Sequence, residues 1–162
     1  MERRKQWDLD PTGFSSHPSS SFGYLLRQTS RRLDRAISQG LATFGLTVSQ
    51  YHLLRELWDR EDQTIRDLAT RVNIAEPSTL RTISLLEERG IVSIRTDRED
   101  LRKRRVFLTA VGRRLQEPVL SEVRRVSEFA YHDVARDDLQ AAVRVFDAIA
   151  RALGDEEDGD TP

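Results

Sequence analysis

The stretch from Thr64 to Thr109 constrains the fold of this chain more than any other part of the sequence. Its residue pattern predicts two short helices joined by a turn, and then two strands on either side of an arginine-rich loop. This order of elements is that of a winged helix-turn-helix. The chain is therefore expected to be mainly α-helical, with a small β-hairpin wing.

The first helix of this module has a capping signal at each end. Thr64 is a candidate N-cap, and Asp67 stands three residues later, where its carboxylate can reach back to the N–H of the cap. Asn73 follows the last apolar position, and asparagine tolerates a left-handed backbone better than most residues. These signals predict a short helix followed by a tight turn.

The second helix is predicted to begin at Pro77, with Glu76 as its N-cap, and to end at Gly90. The N-terminal half of its outer face carries short hydroxyl residues and one arginine, where a surface helix normally carries several long charged side chains. Short side chains let a backbone approach a duplex, hydroxyls bond phosphates or bases, and arginine can bind a guanine edge. The DNA contacts predicted on this helix are Ser78, Thr79, Arg81 and Thr82.

The loop between the two strands is strongly basic. The strands are predicted at residues 91–94 and 106–108, and residues 95–105 hold six Lys or Arg against three acids. A basic tip beside a recognition helix can meet phosphates or the minor groove, although a solvated charged turn has the same composition. The helix pair before the loop favours the DNA interpretation, and the predicted wing contacts are Arg95, Arg98, Arg102 and Lys103.

The segment LEERGIVSIRTDREDLRKRRVFLTAVG, residues 86–112, resembles the signature of the multiple-antibiotic-resistance regulator (MarR) family. In that family a Leu-Glu pair and a glycine close the recognition helix, and the wing carries an Asp-x-Arg element and ends in Leu-Thr. Ser78 and Arg81 match family positions that contact DNA. The likeness covers about residues 22–153, and its matching elements are Leu86-Glu87, Gly90, Asp100-Leu101-Arg102 and Leu108-Thr109.

The resemblance implies a role for each residue of the wing tip. Asp100 is expected to support the wing or the arginines of the recognition helix, and Arg102 is expected to enter the minor groove. Leu101 departs from the family pattern, because many members have another basic residue there, so the wing tip is expected to bind DNA less tightly.

The resemblance also implies the function. The chain is expected to be a homodimeric transcriptional regulator, a repressor that binds a palindromic operator in double-stranded DNA. In the family a small aromatic or phenolic acid binds between the dimerisation helices and the DNA module and releases the operator. Control of aromatic-compound catabolism is the expected setting.

The last predicted helix, Leu139–Leu153, has apolar residues around most of its circumference. Its four polar residues lie in one narrow stripe, and the other eleven positions are apolar. A single small domain has too little material to cover such a helix, whereas terminal helices of two chains can cover each other. A dimer would also let two recognition helices meet two half-sites about one DNA turn apart.

These patterns divide the chain into three parts. Residues 1–20 are expected to form a flexible N-terminal arm, residues 21–153 a single MarR-like domain, and residues 154–162 an acidic disordered tail. Within the domain, the winged helix-turn-helix is placed at residues 47–109. The dimerisation helices are placed on either side of it, at residues 21–45 and 109–153.

Charge and composition agree with a DNA-binding protein of the cytoplasm. The net charge of −1 hides a segment of +5 at residues 64–114 and a tail of −5 from Gly154 onward. The absence of cysteine excludes disulfides, cysteine-containing zinc sites and thiol redox sensing. No apolar run approaches the length of a membrane span, so no membrane partner is expected.

The sequence gives little support to enzymatic or metal sites. It contains no Gly-rich phosphate loop, nucleophile elbow or HExxH motif, so neither an enzyme nor a cofactor is expected. His17, His52 and His132 lack the spacing of metal ligands and suit lone surface positions, so no metal site is predicted. A metal-responsive regulator of the same fold stays open, because folding could bring His52 and His132 together.

A small-molecule site is predicted on the first two helices. Arg27, Arg31 and His52 could meet a carboxylate, and Tyr24 or Trp58 could stack on a ring. An ordinary solvated helix face is the alternative explanation for the arginines. For the chain as a whole, the competing function is a winged helix used for protein assembly, with its basic wing bound to an acidic partner.

Overall fold

The computed structural model describes residues 21–97 and 100–154, and these residues form six α-helices, one 3-10 turn (Ala42–Phe44) and one three-stranded antiparallel sheet. The prediction of a mainly α fold with a small β wing is confirmed. The N-terminal arm, most of the acidic tail, His17 and Arg98 lie outside the described residues. The helices are α1 (Phe22–Leu41), α2 (Val48–Asp59), α3 (Ile65–Val72), α4 (Glu76–Glu88), α5 (Ala110–Tyr131) and α6 (Arg136–Gly154), and the strands are β1 (Gln63–Thr64), β2 (Val92–Thr96) and β3 (Arg104–Leu108).

Local capping sets the ends of the helices around the turn of the module. The Thr64 side chain accepts a hydrogen bond from the backbone of Asp67, and the Asp67 carboxylate accepts one from the backbone of Thr64, as predicted. Asn73 adopts the left-handed conformation with φ of 51°, which is also as predicted. The hydroxyl of Thr109 accepts hydrogen bonds from the amides of Val111 and Gly112 and so caps α5.

Helix α4 starts one residue earlier than predicted. It begins at Glu76, and Ala75 takes the N-cap position without any side-chain bond, so the prediction of Glu76 as the N-cap is wrong. Pro77 still lies in the first turn, where its missing N–H costs no helical hydrogen bond. Gly90 ends the helix with φ of 66°, and the amides of Gly90 and Ile91 bond the carbonyls of Glu87 and Leu86.

The sheet has a third strand that the sequence pattern does not predict. Gln63 and Thr64 pair with Val106 and Arg105 of β3, which makes β3 the central strand. Gln63 is buried, and its side-chain amide donates to the carbonyl of Glu56 at 2.9 Å and to that of Arg60 at 2.7 Å. These bonds satisfy the amide inside the protein and tie β1 to the end of α2.

The core lies beneath the helix-turn-helix and the sheet. Every one of its fully buried residues belongs to the compact unit Met1–Val126. Helix α2 contributes more of it than any other helix, through Tyr51, Leu53, Leu54 and Leu57. Helices α3 and α4 add Leu68, Ile83 and Leu86, and the sheet adds Val92, Val106 and Leu108, so the groups that orient the recognition helix are rigidly packed.

The second compact unit is Ser127–Pro162, and its described part contains the end of α5 and all of α6. The N-terminus of α6 carries Asp137 and Asp138 in its first turn, where negative charge favours the helix dipole. Large apolar side chains of this unit are exposed to solvent, among them Phe129, Val143, Phe146 and Leu153. Among the described residues, no helix combines the length and the apolar character that crossing a bilayer requires.

Candidate nucleic-acid interface

The outward face of α4 presents three of the four residues predicted to contact DNA there. Ser78 and Arg81 are exposed, and Thr82 is half-buried on the same face. The Thr82 hydroxyl donates to the carbonyl of Ser78 at 3.0 Å. That bond fixes the rotamer of Thr82 and leaves its oxygen lone pairs able to accept further hydrogen bonds. The face therefore combines two hydroxyls with one guanidinium.

Thr79, the fourth predicted contact, does not belong to this face. Its side chain is only 1% exposed, and its hydroxyl donates to the carbonyl of Ala75 at 3.3 Å. Because it lies one position after Ser78, it is turned about 100° around the helix axis, toward the side that packs on the core. The prediction that the Thr79 side chain contacts DNA is therefore wrong.

Two side chains at the C-terminal end of α4 fix the helix to its surroundings. The Glu87 carboxylate accepts a hydrogen bond from the backbone amide of Ile94 at 2.6 Å. Ile94 lies in β2, so this bond joins the recognition helix to the wing. The amide of Ile94 is available because β2 is an edge strand of the sheet. The Arg89 guanidinium donates to the carbonyls of Gly45 and Phe44, at 2.7 Å and 3.0 Å, and so links α4 to the turn that follows α1.

A buried carboxylate organises the base of the wing. Asp97 is 7% exposed and pairs with the Arg105 side chain. Arg105 also donates to the backbone carbonyl and the carboxylate of Asp62, at 3.0 Å and 3.1 Å. These interactions raise the pKa of Arg105, and the largest cause is the hydrogen bond that Arg105 donates to Asp97. The carboxylates of Asp97 and Asp62 thus offset part of the positive charge of Arg105, although Arg105 counts among the six basic residues of the loop in the sequence.

The tip of the wing is a hydrogen-bonded turn from Asp100 to Lys103. The amide of Lys103 donates to the carbonyl of Asp100 at 2.9 Å, and the amide of Arg102 donates to the Asp100 carboxylate at 3.1 Å. The Asp100 amide in turn donates to the Asp97 carboxylate at 3.0 Å. Asp100 therefore shapes the turn, while the carboxylate that pairs with an arginine of the wing is Asp97, which the sequence analysis did not single out.

The predicted wing contacts that lie within the described residues are all exposed. The side chains of Arg102 and Lys103 project from the tip, and the Lys103 ammonium lies 3.8 Å from the Asp100 carboxylate. The Arg95 guanidinium lies over the ring of Phe107, 4.8 Å from its centroid, on the neighbouring strand. The wing therefore presents exposed cations on a backbone that internal hydrogen bonds hold in place.

An ion pair behind the helix-turn-helix connects α2 to α3. The Arg71 guanidinium donates to the Glu56 carboxylate at 2.8 Å, and Arg55 donates to the same carboxylate at 3.1 Å. Burial acts to raise the pKa of Glu56, but the hydrogen bonds from Arg71 and Arg55 outweigh it and hold the pKa below the ordinary value. The ionised form of Glu56 therefore stabilises the packing of these two helices.

An open surface cavity of about 470 Å³ lies along α1. It brings together three of the five residues predicted to bind a small molecule, namely Tyr24, Arg27 and Arg31. The remaining lining residues are Gln28, Asp34 and Arg35. The cavity thus combines one phenol ring with three guanidinium groups, a set that suits an aromatic anion.

The other two predicted small-molecule residues, His52 and Trp58, do not line this cavity. His52 is half-buried on α2, and burial followed by the charge of Arg55 lowers its pKa, while the nearby carboxylate of Asp34 acts in the opposite direction. The indole of Trp58 donates to the carbonyl of Gly112 at 3.0 Å and so belongs to the packing between α2 and α5. Residues 21–97 and 100–154 contain no group of three or more His, Cys, Asp or Glu that could hold a metal ion.

Comparison with known sequences matches the part of the chain that contains these features. The sequence model of the MarR family matches residues 46–103, from the start of α2 to the tip of the wing. The HTH-type transcriptional regulator YwoH of Bacillus subtilis is 28% identical over 121 residues, which cover 75% of this chain and 88% of YwoH. The names of such relatives are those of transcriptional regulators, which are generally not enzymes.

Solved structures share the fold over most of its length. BpsR of Bordetella bronchiseptica superposes with a TM-score of 0.77 at 23% identity, covering 85% of this chain and 98% of BpsR. The repressor CouR of Rhodococcus jostii RHA1, bound to a 23-mer DNA duplex, superposes with a TM-score of 0.75 at 24% identity, covering 80% of this chain and 92% of CouR. The solved structures show the shared fold, and the match of residues 46–103 to the family model supports a MarR-family DNA-binding transcriptional regulator.

Proposed function

We propose that the protein is a homodimeric repressor that binds a palindromic operator and leaves it when a small aromatic acid binds. The observation that carries the proposal is the exposed face of α4, with Ser78, Arg81 and Thr82, beside a wing that presents Arg95, Arg102 and Lys103. Hydroxyls and a guanidinium match the base edges and phosphates of a major groove, and exposed cations match the adjacent phosphates and minor groove. Arg98, outside the described residues, is proposed as a further wing contact.

The exposed apolar side chains of the second unit support a dimer. Phe129 is 86% exposed, Leu153 is 77% exposed and Val143 is 55% exposed. Leaving several such side chains in water is unfavourable, and a second copy of the same helices provides a surface of matching chemistry. The proposed dimerisation segments are residues 21–45 and 109–153, and together with residues 47–109 they make up one functional domain over residues 21–153.

The cavity along α1 supports a small aromatic anion as the ligand. The guanidinium groups of Arg27, Arg31 and Arg35 can pair with a carboxylate, and the ring of Tyr24 can stack on an aromatic group. Among proteins of the same fold, DNA binding by BpsR is regulated by 6-hydroxynicotinic acid, and CouR has been solved with p-coumaroyl-CoA. A ligand changes operator affinity about 5- to 150-fold if it distinguishes the two states by about 1–3 kcal/mol.

The DNA and dimer parts of the proposal are tested together on a duplex selected from a random-sequence pool by the unaltered protein. Sedimentation equilibrium is expected to give two protomers per duplex, and nuclease footprinting is expected to give two half-sites related by twofold symmetry about one helical turn apart. Phe146→Arg introduces a charge into the exposed apolar face of α6 and is expected to leave a folded monomer with much weaker duplex binding. One protomer bound to a single unrepeated site would overturn the dimer.

The ligand part is tested with aromatic carboxylic acids in a duplex-release assay that uses fluorescence anisotropy. Acids that release the duplex from the unaltered protein are expected to release it poorly from Arg31→Ala, because the variant lacks one carboxylate partner. Arg66→Ala, which removes an exposed arginine of α3 outside the cavity, is the matched control. Equal release from the Arg31→Ala and Arg66→Ala variants would remove the α1 cavity from the ligand proposal.

A further inference from the structure

Leu101 is the most exposed large apolar side chain among the described residues of the first compact unit. It is 80% exposed, whereas the next in that unit, Leu85 and Tyr24, are 45% and 44% exposed. Single exposed leucines are common on protein surfaces, so the exposure of Leu101 alone assigns it no role. What distinguishes Leu101 is its place in a hydrogen-bonded turn next to three exposed cations, Arg102, Lys103 and Arg104.

The backbone holds Leu101 in that position. It occupies the first corner of the turn that the Lys103 amide closes by donating to the carbonyl of Asp100 at 2.9 Å. Asp100 makes two more hydrogen bonds: its carboxylate accepts from the Arg102 amide at 3.1 Å, and its own amide donates to the buried carboxylate of Asp97 at 3.0 Å. Internal hydrogen bonds thus hold the turn from Asp100 to Lys103 in the free protein, and the backbone presents the apolar side chain at little further conformational cost.

The charged residues next to Leu101 determine which kind of partner surface it can contact. Arg102, Lys103 and Arg104 are all exposed, so the apex is drawn toward a polyanion and away from an apolar protein surface. An isobutyl side chain has no bond to offer a phosphate. The apolar surface that a duplex can offer it is the stacked faces of its bases, which an inserted side chain reaches from the minor groove by partly opening one step.

We infer that Leu101 is an apolar wedge, which enters the minor groove beside the major-groove site of α4 and inserts partly between two base pairs. The inference rests on the proposed DNA contacts of the wing, and it adds to them a contact that does not depend on charge. Since pyrimidine–purine steps open most easily, the wedge gives the protein a preference for such a step in the flank of each half-site. The wing would then recognise how easily the DNA deforms at that step, in addition to binding its phosphates electrostatically.

The test uses the full chain and a duplex selected from a random-sequence pool by the unaltered protein. 2-Aminopurine replaces adenine at successive flanking positions, because its fluorescence rises when it unstacks, and dyes at the two ends of the duplex report bending. The variants are Leu101→Ala, which removes the wedge, Leu101→Asn, which keeps a similar size but is polar, and Leu101→Met, which keeps an apolar side chain. Arg102→Ala serves as the reference for a purely electrostatic contact.

If Leu101 is a wedge, the unaltered protein and Leu101→Met raise the fluorescence at one flanking step and bend the duplex. Leu101→Ala and Leu101→Asn lose both signals and bind about tenfold more weakly, which is the value of burying a large part of a leucine side chain. In both variants the affinity for the duplex falls with salt as steeply as in the unaltered protein, because no charge has been removed. In Arg102→Ala the affinity falls less steeply with salt. Their melting temperatures also stay unchanged, because the side chain is exposed in the free protein.

Two results would overturn the inference and leave the proposed function intact. One is duplex binding by the unaltered protein without a fluorescence rise at any flanking step. The other is affinity and bending by Leu101→Ala equal to those of the unaltered protein. If the unaltered protein selects no duplex from the pool, the proposed function itself fails, and the inference fails with it.

Discussion

The carboxylate of Glu87 accepts the backbone amide of Ile94 at 2.6 Å, and this bond joins the recognition helix directly to the first strand of the wing. Because β2 lies at the edge of the sheet, no neighbouring strand is present on that side to take the amide. The two elements proposed to face DNA are therefore fixed to each other by a charged hydrogen bond in addition to their shared core.

Glu87→Ala is expected to weaken both folding and DNA binding. Loss of one charge-assisted hydrogen bond should lower the free energy of unfolding by about 1–2 kcal/mol, and the freed wing should lower duplex affinity as well. Urea denaturation and fluorescence anisotropy measure the two effects. The matched control is Glu88→Ala, which removes the neighbouring, exposed carboxylate. Equal effects from the two variants would show that the bond to Ile94 is unimportant.

Arg81→Ala is expected to reduce sequence-specific binding. If the guanidinium makes a bidentate contact to a guanine, its loss should cost about 1–3 kcal/mol on the selected duplex and relax the preference at one base pair. Affinities for the selected duplex and for duplexes changed at each position measure this loss. Because Thr79 is buried, its conservative replacement by Ser is the control and should leave the preference unchanged. An unaltered preference in Arg81→Ala would remove Arg81 from the base contacts.

Arg102→Ala is expected to act on the electrostatic part of binding. Affinity for DNA falls as salt rises, and the loss of one phosphate contact should make the plot of log affinity against log salt concentration less steep by about one unit per protomer. Arg105→Ala provides the contrast, because Arg105 is paired with Asp97 and Asp62. Its loss should lower the free energy of unfolding and change the slope less than Arg102→Ala does. Titrations of the duplex at several salt concentrations give the slopes. A slope for Arg102→Ala equal to that of the unaltered protein would contradict a phosphate contact.

Acidification is expected to weaken the fold through Glu56. Its pKa is lowered in the folded protein, because the hydrogen bonds from Arg71 and Arg55 exceed the opposing effect of burial. A lowered folded-state pKa means that the carboxylate adds stability at pH values above its unfolded pKa of about 4.3, and that this stability is lost as pH falls through the folded-state pKa. The measurement is the free energy of unfolding at neutral pH and near pH 3.

The variant for this prediction is Glu56→Gln, which cannot ionise. The gap in stability between the unaltered protein and Glu56→Gln is expected to narrow on acidification, while Glu88→Gln, at an exposed position, should show little gap at either pH. A gap for Glu56→Gln that stays constant between the two pH values would rule out a contribution from its ionisation.

Those features of the fold that depend on neighbours in sequence were predictable. The cap formed by Thr64 and Asp67, the left-handed Asn73 and the closing glycine at residue 90 were each indicated by residue type and spacing, and the structure has all three. Such signals act over three or four residues, so the chain nearby is sufficient to interpret them. The exposed hydroxyls and guanidinium of α4 were predictable for the same reason, from helical periodicity.

Features that depend on distant partners were not predictable. Gln63 and Thr64 show little strand pattern, and they form β1 only because Val106 and Arg105 lie beside them in the folded chain. The pairing of Asp97 with Arg105 likewise depends on the register of the hairpin, and sequence spacing alone did not separate Asp97 from the other acids of the loop. Thr79 was misassigned because one step along a helix decides between the surface and the core.

The two bonds from Arg89 have a mechanical consequence. They fasten the end of α4 to the backbone of Gly45 and Phe44, immediately after the helix that carries the cavity. Since both acceptors are main-chain carbonyls, no side-chain rotation of the turn can release the guanidinium. Displacement of the C-terminal end of α1 is therefore expected to move the end of α4 with it or to break both hydrogen bonds, so Arg89 couples the cavity-bearing helix α1 to α4.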